Sequence, residues 1–157
     1  MTRVISTIGY EGAAIGAFIS RLKAEAITLL IDVRDLPLSR KKGFSKSQLA
    51  EVLRSAGIEY AHLRGLGDPK PGREAARSGQ YSLFRKIFAE HLCTDVAQAD
   101  LAKAAALIIR NNSCLMCYEA NAAQCHRTIV AEELAVRTGL TVNAMVVQDV
   151  WQARVAA

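Results

Sequence analysis

The sequence lacks what marks non-globular and membrane chains. No apolar run approaches the roughly 18 residues needed to cross a bilayer, so a membrane-spanning protein is not expected. Proline is scarce, at three residues in 157, and neither a repeat nor a low-complexity tract is present. That excludes collagen-like and polymer-like chains. Charged residues are only 22% against 51% hydrophobic, which argues against a disordered chain. The opening, Met1 to Glu11, lacks a signal-peptide pattern, because Glu11 interrupts the apolar stretch early and no cleavage site follows. The expectation is a cytoplasmic protein whose four cysteines stay reduced.

What is present fits one α/β domain over residues 1–157. The net charge of +5 is concentrated. Segment 33–44 carries Arg34, Arg40, Lys41 and Lys42 against Asp35; segment 64–79 carries Arg64, Lys70, Arg73 and Arg77 against Asp68 and Glu74. Clustered cations favour an anionic partner such as a phosphate compound or nucleic acid. Solvated cations that only keep a protein soluble are the plainer alternative.

Val4 to Ile8 reads as a strand, followed by an amphipathic helix over about 13–25. Ile27 to Ile31 is a buried strand of the parallel kind, ending at Asp32-Val33-Arg34. Ser45 opens a second helix with Gln48 as its capping-box partner, and Gly57 stops it. Ile58 to Leu63 is a third strand. Residues 64–79, with four glycines and two prolines, read as a long basic loop, of the kind that is a binding loop, a lid or disordered. Helices follow over about 80–92 and 96–110, then a strand from Ser113 to Tyr118. A helix over Cys125 to Thr138 and a strand over Thr141 to Val147 come next, and a short C-terminal helix is anchored by Trp151. This order predicts a mostly parallel sheet of about five strands with helices on both faces.

In such folds functional groups gather where strands end. Tyr10 and Glu11 follow the first strand, Asp32, Arg34 and Arg40 the second, and His62 and Arg64 the third. Glu119, Cys125, His126 and Arg127 follow the fourth, and Gln148 and Asp149 the fifth. Cys125-His126-Arg127 falls at a helix start, where free N–H groups and the dipole favour an anion and a thiolate. Cys114-x-x-Cys117 with Cys125-His126 invites a zinc reading. On a strand, however, positions three apart point to opposite faces, so no metal is expected. A Cys-x5-Arg phosphate loop is also absent, since Cys117 precedes Arg127 by ten positions.

Taken together, certain residues carry a likeness. They are Thr7-Ile8-Gly9-Tyr10-Glu11-Gly12, Ile31-Asp32-Val33-Arg34 with Pro37, Ser39-Arg40 and Phe44, and Gly57-Ile58 with Tyr60 and His62-Leu63. Leu66-Gly67 and Cys117 with Glu119 and Cys125-His126-Arg127 complete the set. The chain resembles the family known as domain of unknown function 488 over about residues 4–135. The resemblance implies a small cytosolic α/β domain and supplies no reaction. Where relatives carry a second glycine after the one matching Gly67, Asp68 stands here. Separately, Leu30 to Arg34 resembles a strand of rhodanese domains.

The leading expectation is an anion-binding cleft for a nucleotide or nucleic acid. Arg34, Arg40 and Arg127 hold phosphates, and Tyr10 and His62 contact the base or sugar. Glu119, His126, Glu11 and Cys125 are the candidates for chemistry, as a hydrolase or transferase on a phosphate-containing substrate. One alternative is a non-catalytic module, either nucleic-acid-binding through the same arginines or regulatory with the rim arginines paired internally. Another is a thiol-dependent, rhodanese-like enzyme using Cys125 or Cys117. No cofactor is expected, and a homodimer is compatible with the sequence.

Overall fold

The computed structural model describes residues 3–147. Gln148, Asp149 and the Trp151 helix expected from the sequence lie outside them. Five strands form one sheet: β1 (Val4–Gly9), β2 (Leu29–Asp32), β3 (Glu59–His62), β4 (Ser113–Cys117) and β5 (Thr141–Ala144). All pairings are parallel, and the strand order is β3-β2-β4-β1-β5. The helices are α1 (Ile15–Ala24), α2 (Lys46–Ser55), α3 (Lys70–Arg77), α4 (Tyr81–Leu92), α5 (Asp95–Arg110) and α6 (His126–Thr138).

Strand alternation divides the core in two. Leu30, Cys114 and Met116 face α1 and α2, where Phe18, Leu22, Leu49 and Leu53 cover them. Leu29, Ile31, Leu115 and Cys117 face the opposite layer, packed by Phe84, Phe88, Leu101, Ile108, Val130 and Leu134. Both faces are therefore covered, as a parallel sheet requires. No helix among the described residues is long and apolar enough to cross a membrane.

Two expectations are corrected. Residues 64–79 are not an open loop: a short 3-10 turn at Arg64–Leu66 leads into α3. Pro71 lies in the first turn of α3, where a missing N–H costs nothing. Gly72 is inside the helix because a Cβ there would stand 2.0 Å from Asp68 Oδ1. The capping box at α2 is also absent. Ser45 Oγ donates to Ser39 O, and Gln48 Oε1 accepts from Gly43 N. The Pro37–Phe44 loop therefore takes up the side chains that would have capped the helix.

The layout sets the position of the site. The chain leaves β1 and β2 towards one face and β4 towards the other, so a crevice opens outside the C-terminal ends of these neighbouring strands.

Candidate functional site

A cleft of about 610 Å³ occupies that crevice. Tyr10 and Glu11 enter it from the end of β1, Arg34, Asp35, Leu36, Leu38 and Ser39 from beyond β2, and Cys117, Tyr118 and Glu119 from β4. Asp68, Arg73, Arg77 and Tyr81 close it from the α3–α4 side. Gly9 lets the β1 and β4 ends come together: a Cβ there would lie 1.8 Å from Glu119 O. The seam is held by Glu11 N donating to Tyr118 O at 2.8 Å and Ala120 N donating to Glu11 Oε1 at 3.1 Å.

Arg34 is buried and its donors are engaged within the protein. Nε and Nη2 fork onto Asp32 at 2.9 and 2.8 Å, and Nη1 donates to Phe44 O at 2.7 Å and Tyr10 Oη at 3.2 Å. Burial alone would lower its pKa, but the Asp32 carboxylate outweighs it and the net direction is up. Tyr60 donates to Asp32 Oδ2 at 2.6 Å, and burial followed by the Asp32 charge raises the phenol. Tyr10 stacks on Phe44 with ring centres 4.4 Å apart. His62 lies behind this group, its Nε2 2.8 Å from Arg34 O.

The β4 side is built differently. Arg127 is fully buried in the first turn of α6. Its Nη1 donates to Cys117 Sγ at 3.1 Å and to Glu119 O, and Nη2 donates to Ala120 O at 3.3 Å. Among the described residues its Nε has no partner, and no carboxylate forms an ion pair with it. Burial pushes its pKa down. Cys117 is joined to Cys125 by a disulfide, so the expectation of four reduced cysteines is not met. Cys125 caps α6, with Sγ accepting from Arg127 N at 3.5 Å. Glu119 Oε2 lies 3.5 Å from Cys117 Sγ, and burial raises its carboxyl. His126 Nε2 lies 2.6 Å from Val33 O, and burial holds the ring down to about 4, so it is neutral at physiological pH. Cys117, Cys125 and His126 bring donor atoms within 4.8 Å of one another, whereas Cys114 points into the opposite core layer.

With this geometry in view, comparison with known families is direct. The model of the family described as domain of unknown function DUF488 matches residues 14–134. The chain belongs to this family. No curated protein and no solved structure matches it.

In this DUF488 chain the three arginines of the sequence reading do not share one pocket wall. Arg34 lines the cleft, Arg127 lies buried behind Cys117, and Arg40 is exposed away from the lining. Sequence reasoning missed Asp35, Asp68 and Arg73 as parts of the site. Asp35 Oδ2 accepts from Arg73 Nη1 at 2.8 Å. Asp68 is 5% exposed, and Oδ1 has no partner among the described residues. Burial pushes its carboxyl up to about 7; Arg73 opposes that, and Glu119 and Asp35 add to it. The sequence held one hint, in that Asp68 stands where the resemblance implies glycine. The lining as a whole carries Arg34, Arg73 and Arg77 against Glu11, Asp35, Asp68 and Glu119, so the cleft is mixed in charge.

Proposed function

We propose that the chain is a thiol-dependent catalyst acting through Cys117, with Cys125 as its partner sulfur. The contact between Arg127 and Cys117 carries this reading. A buried cation needs an opposing charge, and removing the partner of a buried charge costs about 3–5 kcal/mol. Cys117 Sγ lies 3.1 Å from the Arg127 guanidinium, which has no carboxylate partner among the described residues. A thiolate on reduced Cys117 supplies that charge, and the thiolate is the reactive form of cysteine. Cys117 also lines the cleft, while Cys125 does not.

The reaction class is exchange at sulfur. The Cys117 thiolate attacks one sulfur of a substrate disulfide. The substrate S–S bond breaks, and the leaving sulfur departs with the electron pair and takes up a proton. Cys125, as thiolate, then attacks the Cys117 sulfur of the mixed disulfide, and the second substrate sulfur leaves as a thiol. The Cys117–Cys125 disulfide remains, two electrons having passed to the substrate, and a cellular thiol returns the pair to the reduced state. Glu119, 3.5 Å from Cys117 Sγ, is a carboxyl within reach for the proton.

Arg77 gives the substrate a second feature. It lines the cleft and makes no ion pair among the described residues, so an anionic group on a small substrate meets a free guanidinium there. Nucleic acid has weaker support, because four carboxylates share the lining.

Alkylation of the reduced protein at neutral pH tests the reading. Peptide mapping should show Cys117 modified by iodoacetamide at least about tenfold faster than the exposed Cys93. Arg127→Met should slow Cys117 and leave Cys93 unchanged. Cys117 reacting no faster than Cys93 overturns the proposal.

A further inference from the structure

We infer that the reduced protein binds a thiophilic divalent cation, with zinc as the type, between Cys117, Cys125 and His126. The inference stands on donor geometry and does not require Cys117 to be catalytic.

The histidine is the first observation. His126 is 7% exposed, and its Nε2 sits 2.6 Å from Val33 O. A carbonyl only accepts, so Nε2 carries the ring proton and Nδ1 is left with a bare lone pair. Nδ1 faces Cys125 Sγ at 3.8 Å. In the disulfide that sulfur has no hydrogen, so the lone pair has no donor. A buried acceptor 3.8 Å from a sulfur calls for either a thiol proton or a cation. Anchoring of the outer ring nitrogen to a backbone carbonyl is also how metal-binding histidines are held.

The second observation is the spacing. The three donor atoms lie within 4.8 Å of one another. Zinc–sulfur bonds of about 2.3 Å in a tetrahedron place two sulfurs about 3.8 Å apart. Once reduced, the two sulfurs reach that separation by side-chain rotation.

The third is charge and access. Two thiolates neutralise a divalent cation, and Arg127 Nη1 hydrogen-bonds one of them, as outer groups around metal thiolates do. Each ligand comes from a fixed place: the end of β4, the cap of α6 and its first residue. Cys117 and His126 line the cleft, which gives the ion an entry path and leaves a fourth position open to it. Two sulfurs and one imidazole select zinc or its chemical neighbours over magnesium or calcium, which take oxygen.

Cobalt(II) is the probe, added anaerobically to protein held reduced by a phosphine. The expected result is a sulfur-to-cobalt band with the visible bands of a tetrahedral site, saturating at one equivalent and erased by zinc. Oxidised protein, whose fold is intact, should give neither band. Cys93→Ser should behave as the wild type, and His126→Gln should weaken cobalt binding at least about tenfold. If His126→Gln does not fold, oxidised wild type against reduced wild type decides alone. Absence of the bands in reduced wild type, or their presence in the oxidised form, overturns the site. Loss of the site with rapid Cys117 alkylation retained rejects the metal and leaves the thiol catalyst standing.

Discussion

Replacing Asp68 by asparagine should stabilise the protein in alkali and do little in acid. The carboxyl is 5% exposed, and Oδ1 has no hydrogen-bond partner among the described residues. It rests over Gly72, where even a methyl group would stand 2.0 Å away. Arg73 lies near, yet its Nη1 donates to Asp35 Oδ2 and to the Asp68 backbone oxygen. Burial therefore dominates and pushes the carboxyl from 3.8 up to about 7. The unfolded chain releases this proton near the ordinary value, so between about pH 4 and 7 the folded state binds more protons than the unfolded state. Stability must then fall as pH rises through that window, and the penalty is complete above pH 7. A rise from 3.8 to about 7 corresponds to about 4 kcal/mol at 1.36 kcal/mol per pH unit. Relaxation around the charged form makes this an upper bound. Asparagine keeps the shape and cannot ionise. Urea unfolding at fixed redox state should place Asp68→Asn within about 1 kcal/mol of wild type at pH 4 and about 2–4 kcal/mol above it at pH 8. Other titrating groups are common to both proteins and cancel in the difference. A stability difference that does not change between the two pH values refutes the reasoning.

Two further substitutions probe the frame of the cleft. Gly9→Ala places a Cβ 1.8 Å from Glu119 O and should cost about 1–3 kcal/mol as the β1–β4 seam opens. An unchanged melting temperature would show the seam to be looser than described. Asp32→Asn strips the buried Arg34 of its carboxylate and should cost about 3–5 kcal/mol in urea unfolding. Asp32→Asn combined with Arg34→Met should recover most of that loss, and a double variant no better than the single one would count against charge isolation as the cause.

The sheet was legible because its strands are continuous apolar runs separated by helical periodicity, as at Leu29 to Asp32 and Ser113 to Cys117. Helices on both faces followed from that order. The α3 segment was not legible. Its Pro71 and Gly72 read as breakers, and their acceptability depends on a first-turn position and on a contact with Asp68. Strand ends identified the cleft residues Tyr10, Glu11, Arg34, Glu119 and His126. Strand position alone does not say whether a guanidinium points into solvent or into the protein. For Arg34 the answer was within reach, since two-residue alternation puts it on the same side as Asp32. For Arg127 it was not, because its partners Cys117, Glu119 and Ala120 come from a loop whose path periodicity does not predict.

The two buried arginines differ in a way that bears on the role proposed for Cys117. Arg34 is balanced by Asp32, a carboxylate that accepts its fork and the Tyr60 hydroxyl. That balance persists in any redox state, so the β2 side of the cleft is a fixed scaffold. Arg127 meets a sulfur instead, and that sulfur bears a charge only when the disulfide with Cys125 is open. Oxidation leaves the guanidinium facing carbonyl oxygens and an unpartnered Nε. The electrostatic cost of oxidation is therefore borne at one residue, next to the cleft and away from the Asp32–Arg34 frame. A site that only needed rigidity would have a carboxylate at position 117, because a permanent charge holds a buried guanidinium more securely than one that comes and goes.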